Sequence, residues 1–554
     1  MNFHIKFRKV LVFLSVVLIT LSSCEKFLVE EPTSQFTADF VFNNIDGLES
    51  GVVGLYNFQR AFWENQANNG SNPLAIDARD DLTIPRGGEI ANIGRMTQGT
   101  TPDNSGVFVD YWRTYYRIVD RANALITAAE KLQTTDEARR NQVIAEAKFF
   151  RANSVFVLFR IFNNIYVKTE PTTPQNALNL INDKTPESEI YALINSDLSF
   201  AIDNLPWKTG AAGEFGRITK GVARHLKADV AMWQGNWAEA KLQTDSIIAR
   251  PAIHNLVNST GLVFRGDLNH VETLWALQYK ALVNGRPHKI NFNLMPNYAE
   301  LIPGSKYSIE QGGRGFGWLT INNYLRDLLL ADPNDTRIKG NYYVKDYVYN
   351  DPATLPAGQV LGARIVHPLW QEFAATAANR NFYFIRLNAG CKKYFPDDGL
   401  PTEDLQTKNI AIYRFAETLL IAAEANMRLG NNGDALTHLN RVRTRAGTAP
   451  LSTISLESIL EEQAREFAFE GRRWYWLKRT GKLYDYVVDH AGYGKPGDLR
   501  TETNPSPTPA NTPADPFPYR NDARRNLRPH MVNWPIPRSE INLLGAGYPQ
   551  NAGY

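Results

Sequence analysis

Residues 228–240 read Ala228-Asp-Val-Ala-Met232-Trp-Gln-Gly235-Asn236-Trp-Ala-Glu239-Ala240, and residues 423–435 read Ala423-Glu-Ala-Asn-Met427-Arg-Leu-Gly430-Asn431-Asn-Gly-Asp434-Ala435. The two stretches align without a gap. Each reads as a helix stopped by a C-terminal glycine, then a second helix opening on small and acidic residues. That is the helix-turn-helix logic of tetratricopeptide units, in which small residues let paired helices approach closely. The copies lie far apart in the chain, so there is no regular tandem array and long insertions must separate the helical pairs. The pattern predicts a mainly α fold: an irregular tetratricopeptide-like scaffold of helical pairs near 219–250 and 409–446, with long loop insertions and a few short strands.

Helical periodicity extends outward from these pairs. Leu48, Val52, Leu55, Tyr56 and Phe62 form one stripe, with Asp46 placed to cap it and Trp63 ending it as a core residue. Trp112, Tyr115, Ile118, Val119, Ala122 and Leu125 form another, within Tyr111 to Leu132. After the break at Thr134-Thr135-Asp136, a long helix carries Val143, Ala147, Phe150, Val157 and Leu158. Thr185-Pro186-Glu187 opens a further helix running to Leu205. The cation-rich stretch from Arg465 to Lys482, with Phe467, Trp474 and Leu477 at helical spacing, reads as packed helix with a solvated charged face. Short strands fit Asn341 to Tyr349 and Phe382 to Leu387.

At the N-terminus, Lys6, Arg8 and Lys9 precede an apolar run from Val10 to Leu21 and then Ser22-Ser23-Cys24. A helix of that run spans about 18 Å, short of the roughly 30 Å hydrocarbon core of a bilayer. Residues 1–23 therefore read as an export signal. Leu21-Ser-Ser-Cys24 also resembles the bacterial lipoprotein processing box, which implies cleavage before Cys24 and its acylation. The formal charge of +3 comes from the three signal cations, so the chain from Cys24 onward is neutral. Neutrality argues against nucleic-acid binding, which rests largely on phosphate neutralisation. Cys391 is the second cysteine, and a lipidated Cys24 leaves it no disulfide partner.

No catalytic or metal-binding constellation stands out. The nine histidines lack metal-ligand spacing. The neighbours Asp80-Asp81 and Asp397-Asp398 suggest a glycosidase only superficially, because hydrolysis needs two carboxyls held about 5–10 Å apart across a bond. Asp397-Asp398-Gly399 and Asp332-Pro-Asn-Asp335 read as turns.

The insertions have their own character. Residues 64–109 are rich in Asn, Gly, Asp, Thr and Arg, and residues 501–518 are Pro-rich and read as an extended surface loop. Residues 286–320 place Tyr298, Tyr307, Phe316 and Trp318 around Gly312-Gly313-Arg314-Gly315. Those glycines oppose helix formation, so a loop carrying large aromatics is expected. Candidate ligand contacts are Trp318, Tyr298 and Tyr307 as aromatic platforms, and Asp80, Asp81 and Arg86 as hydrogen-bonding groups. For each, local packing is the competing role.

Several segments resemble the SusD/RagB family of outer-membrane nutrient-binding lipoproteins of Bacteroidetes-type bacteria. They are Cys24-Glu-Lys-Phe-Leu-Val-Glu-Glu-Pro-Thr-Ser-Gln, Trp112-Arg-Thr-Tyr-Tyr-Arg-Ile-Val-Asp-Arg-Ala-Asn123, Glu146-Ala-Lys-Phe-Phe-Arg-Ala152 and Gly216-Arg-Ile-Thr-Lys-Gly221. Further on come Tyr413 to Glu424, Asn440-Arg-Val-Arg-Thr-Arg-Ala-Gly447, Arg465-Glu-Phe-Ala-Phe-Glu-Gly-Arg472, Trp534-Pro-Ile-Pro-Arg-Ser-Glu-Ile541 and Gln550-Asn-Ala-Gly-Tyr554. The resemblance implies that residues 24–554 form one helical ligand-binding domain; the residues themselves call for no cofactor and offer no metal-ligand set. It implies a non-catalytic lipoprotein, anchored in the outer membrane at the cell surface, that captures an oligosaccharide. The partner it implies is a SusC-like TonB-dependent barrel transporter, over which the protein sits as a lid. The alternatives are a surface glycoside hydrolase and a peptide-binding member of the same family. The family's surface-exposed members often carry acids directly after the lipidated cysteine, whereas here Glu25 is followed by Lys26.

Anchoring is testable directly. Cys24→Ala should yield unlipidated protein that leaves the membrane pellet on fractionation; a variant that stays tightly membrane-bound with normal processing rejects an anchor at Cys24.

Overall fold

The computed structural model of the chain describes residues 42–64, 72–86, 88–96, 105–208, 214–279, 287–365, 386–491, 523–545 and 547–554. Cys24 and the Pro-rich 501–518 lie outside them. The fold is mainly α. Its first helices are α1 (Ile45–Glu64), α2 (Gly106–Lys131), α3 (Glu137–Phe162) and α4 (Glu187–Asn204). The repeat copies form α5 (Lys220–Trp233) with α6 (Trp237–Ile248), and α7 (Phe415–Arg428) with α8 (Asn432–Arg445). Two more follow, α9 (Leu456–Phe467) and α10 (Arg473–Arg479).

Local chemistry sets the helix ends. The Asp136 side chain accepts from the Arg139 N–H and caps α3, as the break before it predicts. At α1 the cap differs from expectation. Asn44 Oδ1 accepts the Gly47 N–H at 2.9 Å, while Asp46 sits inside the first turn and pairs with Arg139. The two repeat copies end alike. Gly235 and Gly430 take left-handed φ values of 68° and 82°, and Asn236 and Asn431 donate back to the carbonyls of Ala231 and Asn426. These are the same Schellman closures at equivalent positions. A residue with a Cβ would be strained there, which is why glycine marks both turns.

The helices stack in chain order, α2 on α3, α3 on α4, α4 on α5 and α5 on α6. Then the chain leaves for residues 249–414 and returns so that α6 packs on α7 and α7 on α8. Repeats distant in sequence are thus neighbours in space. Ala228, Ala240, Ala423 and Ala435 are all fully buried, which gives the close approach that small residues allow. Antiparallel strands β2 (Thr273–Leu277) and β6 (Ile410–Arg414) close the excursion, pairing Thr273 with Arg414 and Leu277 with Ile410. Within it, β4 (Tyr343–Val344) pairs with β5 (Gly390–Cys391), and β3 (Leu319–Ile321) pairs back to β1 (Thr83–Pro85) from the first insertion. A strand therefore falls inside Asn341 to Tyr349. Of Phe382 to Leu387, only Arg386 and Leu387 are described, and they are helical.

Helix α3 is central. Apart from Lys148, every residue from Val143 to Phe162 is buried, so it has no polar face to give to solvent. Its charged side chains pair inside: Arg151 forks onto Asp197 with two 2.7 Å bonds, and Glu146 holds Arg217 at 2.5 Å. The C-terminal segment returns to this helix. The Trp534 N–H donates to the Ile161 carbonyl at 2.9 Å, and its ring packs against Phe108, Tyr111, Phe162 and Trp474.

The stretch from Arg465 to Lys482 corrects an expectation. Phe467, Trp474 and Leu477 are buried as periodicity predicts, but the cations turn inward instead of facing water. Arg465 is buried and Arg473 wholly so. The reason is a supply of buried acids from distant segments: Asp81 for Arg473 at 2.7 Å, Glu417 for Arg472 at 3.5 Å and Glu424 for Arg479 at 2.5 Å. The acids of α9 in turn serve distant arginines. Glu466 meets Arg445 at 2.6 Å, Arg414 at 2.9 Å and Arg337 at 3.2 Å, and Glu462 meets Arg337 at 2.7 Å and Arg443 at 2.9 Å. Burial alone would raise the Glu466 carboxyl, but Arg445, Arg414 and Arg337 outweigh it and hold it well below the usual range.

Glu466→Gln should therefore strand buried guanidinium charge and cost about 3–5 kcal/mol in denaturant unfolding. Arg139→Gln breaks only the exposed, solvent-screened pairs to Asp46 and Glu49 and should leave the unfolding midpoint nearly unchanged. Comparable small losses for both variants would remove the buried cluster from its organising role.

Candidate functional site

The β1–β3 pair builds the site. Pro85 lies opposite Leu319, and just beyond that register the Arg86 N–H donates to the Trp318 carbonyl at 2.8 Å. Two candidates far apart in sequence become neighbours. The Arg86 guanidinium lies 4.0 Å from the Phe316 ring centroid and 5.7 Å from that of Trp318, and it also donates to the Phe316 carbonyl. Cation–π attraction of this kind is worth about 0.5–1 kcal/mol near a surface.

Three aromatic rings continue from there. Phe316 lies 4.8 Å from Trp318 and stacks on Phe292 at 5.8 Å with only 18° between the planes. All three rings are half-buried and so keep exposed area. The glycines create this arrangement. A Cβ on Gly315 would stand 1.9 Å from the Met295 carbonyl oxygen, so only glycine permits the approach that lets the Phe316 N–H donate to the Phe292 carbonyl at 2.7 Å. Gly317 adopts φ 64° between the two aromatics.

Polar groups flank the ladder. Exposed Arg314 lies 6.0 Å from the Phe292 ring and pairs with Asp404 at 3.0 Å, and its N–H donates to the Pro401 carbonyl. Arg314 also hydrogen-bonds Tyr307, whose hydroxyl is raised by burial and partly lowered again by that guanidinium. Lys289 sits 5.9 Å from Phe292 on the same side chain cluster. Such a surface offers apolar ring faces beside charged donors and acceptors, the combination that suits a sugar ring with its C–H face and hydroxyl rim.

The sequence candidates divide. Trp318, Arg86 and Tyr307 are half-buried and come together around the ladder. Tyr298 does not join them: it has no exposed surface, stacks on Tyr347 at 4.7 Å and accepts the Ser308 N–H at 2.9 Å. Asp80 and Asp81 are also interior. Asp81 forks onto Arg473 at 2.7 and 2.8 Å with both side chains fully buried, so its partner is structural. Asp80 accepts the Leu82 N–H at 2.8 Å, and burial, with Asp81 and Asp77 close by, pushes its carboxyl well above the usual range. The expected ligand contacts at Tyr298, Asp80 and Asp81 thus give way to packing. The first insertion is not a solvated loop in its described middle either, because residues 72–85 are all buried. Arg79 donates to the Met531 carbonyl and Asn72 to Asp110, so part of its polar content is paired inside. Phe292 and Arg314 were missed as site residues. Arg314 lies within the glycine cluster, a signal that could have flagged it, whereas Phe292 carries none.

Comparison with known proteins follows from this geometry. A sequence profile described as the SusD family matches residues 272–554, and one described as starch-binding associating with outer membrane matches residues 26–219. The SusD-like protein P2 of Formosa agariphila is 26% identical over 496 residues, covering 84% of this chain and 89% of that protein. Among solved structures, a laminarin binding SusD-like protein superposes with a TM-score of 0.67 at 21% identity, over 92% of this chain and 100% of the other. Surface glycan-binding protein A from Bacteroides thetaiotaomicron, in complex with laminarihexaose, gives 0.66 at 20% identity, over 91% of this chain and 99% of the other.

The ladder depends on Gly315, and that yields a test. Gly315→Ala should push residues 314–318 off the Met295 backbone, changing the tryptophan emission spectrum and lowering the melting temperature. Gly433→Ala, where a Cβ meets nothing within 4 Å, should do neither. Equal behaviour of the two variants would show that the close approach is not needed.

Proposed function

The chain belongs to the SusD family, and on that premise we propose that it is a non-catalytic lipoprotein that captures an oligosaccharide. In this reading Cys24 carries the lipid anchor at the outer membrane, and the bound glycan passes to a TonB-dependent barrel transporter beneath. The observation that carries the reading is the half-exposed ladder of Phe292, Phe316 and Trp318 beside Arg86 and the Arg314–Asp404 pair. A pyranose stacks its C–H face on such rings, each contact adding on the order of 1 kcal/mol beyond burial. The matching profile described as starch-binding and the laminarin binding neighbour support the same ligand class.

Absence of catalysis is part of the proposal. Asp404, the acid beside the ladder, is engaged by Arg314, and a glycosidase needs a second carboxyl about 5–10 Å away across the bond.

The test is calorimetric titration against a panel of neutral and acidic oligosaccharides, with short peptides as the contrasting class. Trp318→Ala should weaken the best glycan about ten- to a hundredfold, about 1.4–2.8 kcal/mol, and leave the melting temperature nearly unchanged. No new reducing ends should form on prolonged incubation. Unaltered affinity with a large drop in melting temperature would assign Trp318 to packing, and binding of peptides alone would replace the glycan reading.

A further inference from the structure

A second polar feature lies inside the scaffold, away from the ladder. Helices α1, α2 and α3, strands β2 and β6 and the turn at 470–472 converge on one cavity, which offers the centres of water molecules about 60 Å³. Its walls are largely aromatic, with Tyr111 and Tyr115 on one side and Trp275 and Tyr413 on the other. Four buried polar atoms of its lining residues have no hydrogen-bond partner: Gln59 Oε1, Trp63 Nε1, Arg160 Nε and Trp275 Nε1. Gln59, Arg160 and Trp275 are each 3% exposed or less. Orphaned atoms of this kind are rare in folded interiors, and four residues that carry one line this single space.

Charge selects the occupant. Arg160 is already paired with Asp229 at 2.9 Å and Arg472 with Glu417 at 3.5 Å, while Glu470 is held by Lys393 and Arg414. An ion placed among them would have no counter-charge in a buried site. The occupant must be neutral and must both accept from three N–H groups and donate to one carbonyl oxygen. Water does both, and the space matches about four to six molecules at about 10–15 Å³ each.

We propose that this cavity is a solvent site, where a cluster of ordered water molecules bridges Gln59 and Trp63 of α1 to Arg160 of α3 and Trp275 of β2. The junction between the first helices and the β2–β6 ribbon is then held partly by water-mediated hydrogen bonds.

A high-resolution crystal structure of the full mature chain tests this directly. Discrete peaks are expected about 2.7–3.2 Å from each of the four atoms, and xenon under pressure should not enter, because xenon favours dry apolar cavities. A featureless cavity, xenon density, or one continuous organic molecule in the space would each overturn the proposal. Gln59→Met keeps the shape and removes the acceptor. It also removes the amide that hydrogen-bonds Tyr115, so if water is bound there the melting temperature should fall by a few degrees more than in Tyr115→Phe, which loses that bond alone. A midpoint no lower than that of Tyr115→Phe rejects the cluster, since deleting an unsatisfied acceptor from a dry site is neutral or stabilising.

Discussion

Glu466 on α9 is the point at which segments scattered along the chain are tied together. Its carboxylate accepts from Arg337, Arg414 and Arg445, and through them it reaches the excursion, the end of β6 and the second repeat pair. Glu272 at the start of β2 and Glu470 share the same arginines. Burying this many charges carries a large desolvation cost, and the arrangement persists because each charge meets several of opposite sign. The geometry that results is specific. The arginines fork across gaps that apolar side chains could fill in many ways, so the pairing sets the register of α8, α9 and the β2–β6 ribbon.

From that cluster the same α9–α10 region reaches the aromatic ladder. Arg473, a few residues past Glu466, forks onto Asp81. Asp81 leads into β1, β1 pairs with β3, and Arg86 at the end of β1 lies over Phe316 and Trp318. An interior ion pair thus positions an exposed ring system. Asn322, just after β3, adds a second tie by donating a side-chain hydrogen bond to the Asp81 carbonyl, and it caps the start of the next helix by accepting the Leu325 N–H. A loop held this way can present aromatic faces without being floppy, which limits the conformational entropy lost when a ligand stacks on it.

Two kinds of polar residue in this protein look alike in sequence. Arg314 and Asp404 pair at a surface, whereas Asp81 and Arg473 pair in the core at similar distances. Only the first kind is free to exchange partners with a ligand. Composition alone points the wrong way at 64–109, where polarity suggests solvent exposure and the described middle is interior.

The helices and the repeat were legible because their causes are local. Apolar residues every three or four positions, a cap such as Asp136 and a glycine such as Gly235 or Gly430 act within one or two turns, so thirteen residues suffice to read them. The loop character of 311–318 was legible for the same reason, since glycine acts on its own backbone. Trp318, Arg86 and Tyr307 could be named as candidates, but their meeting depends on the β1–β3 register, and Phe292 joins them only because Gly315 lets two backbones approach. The fates of Asp80, Asp81, Tyr298 and the cations after Arg465 were decided by partners far away in the chain. Burial is a property of what surrounds a side chain, and the free energy that turns a charge inward comes from a counter-charge that no local window contains.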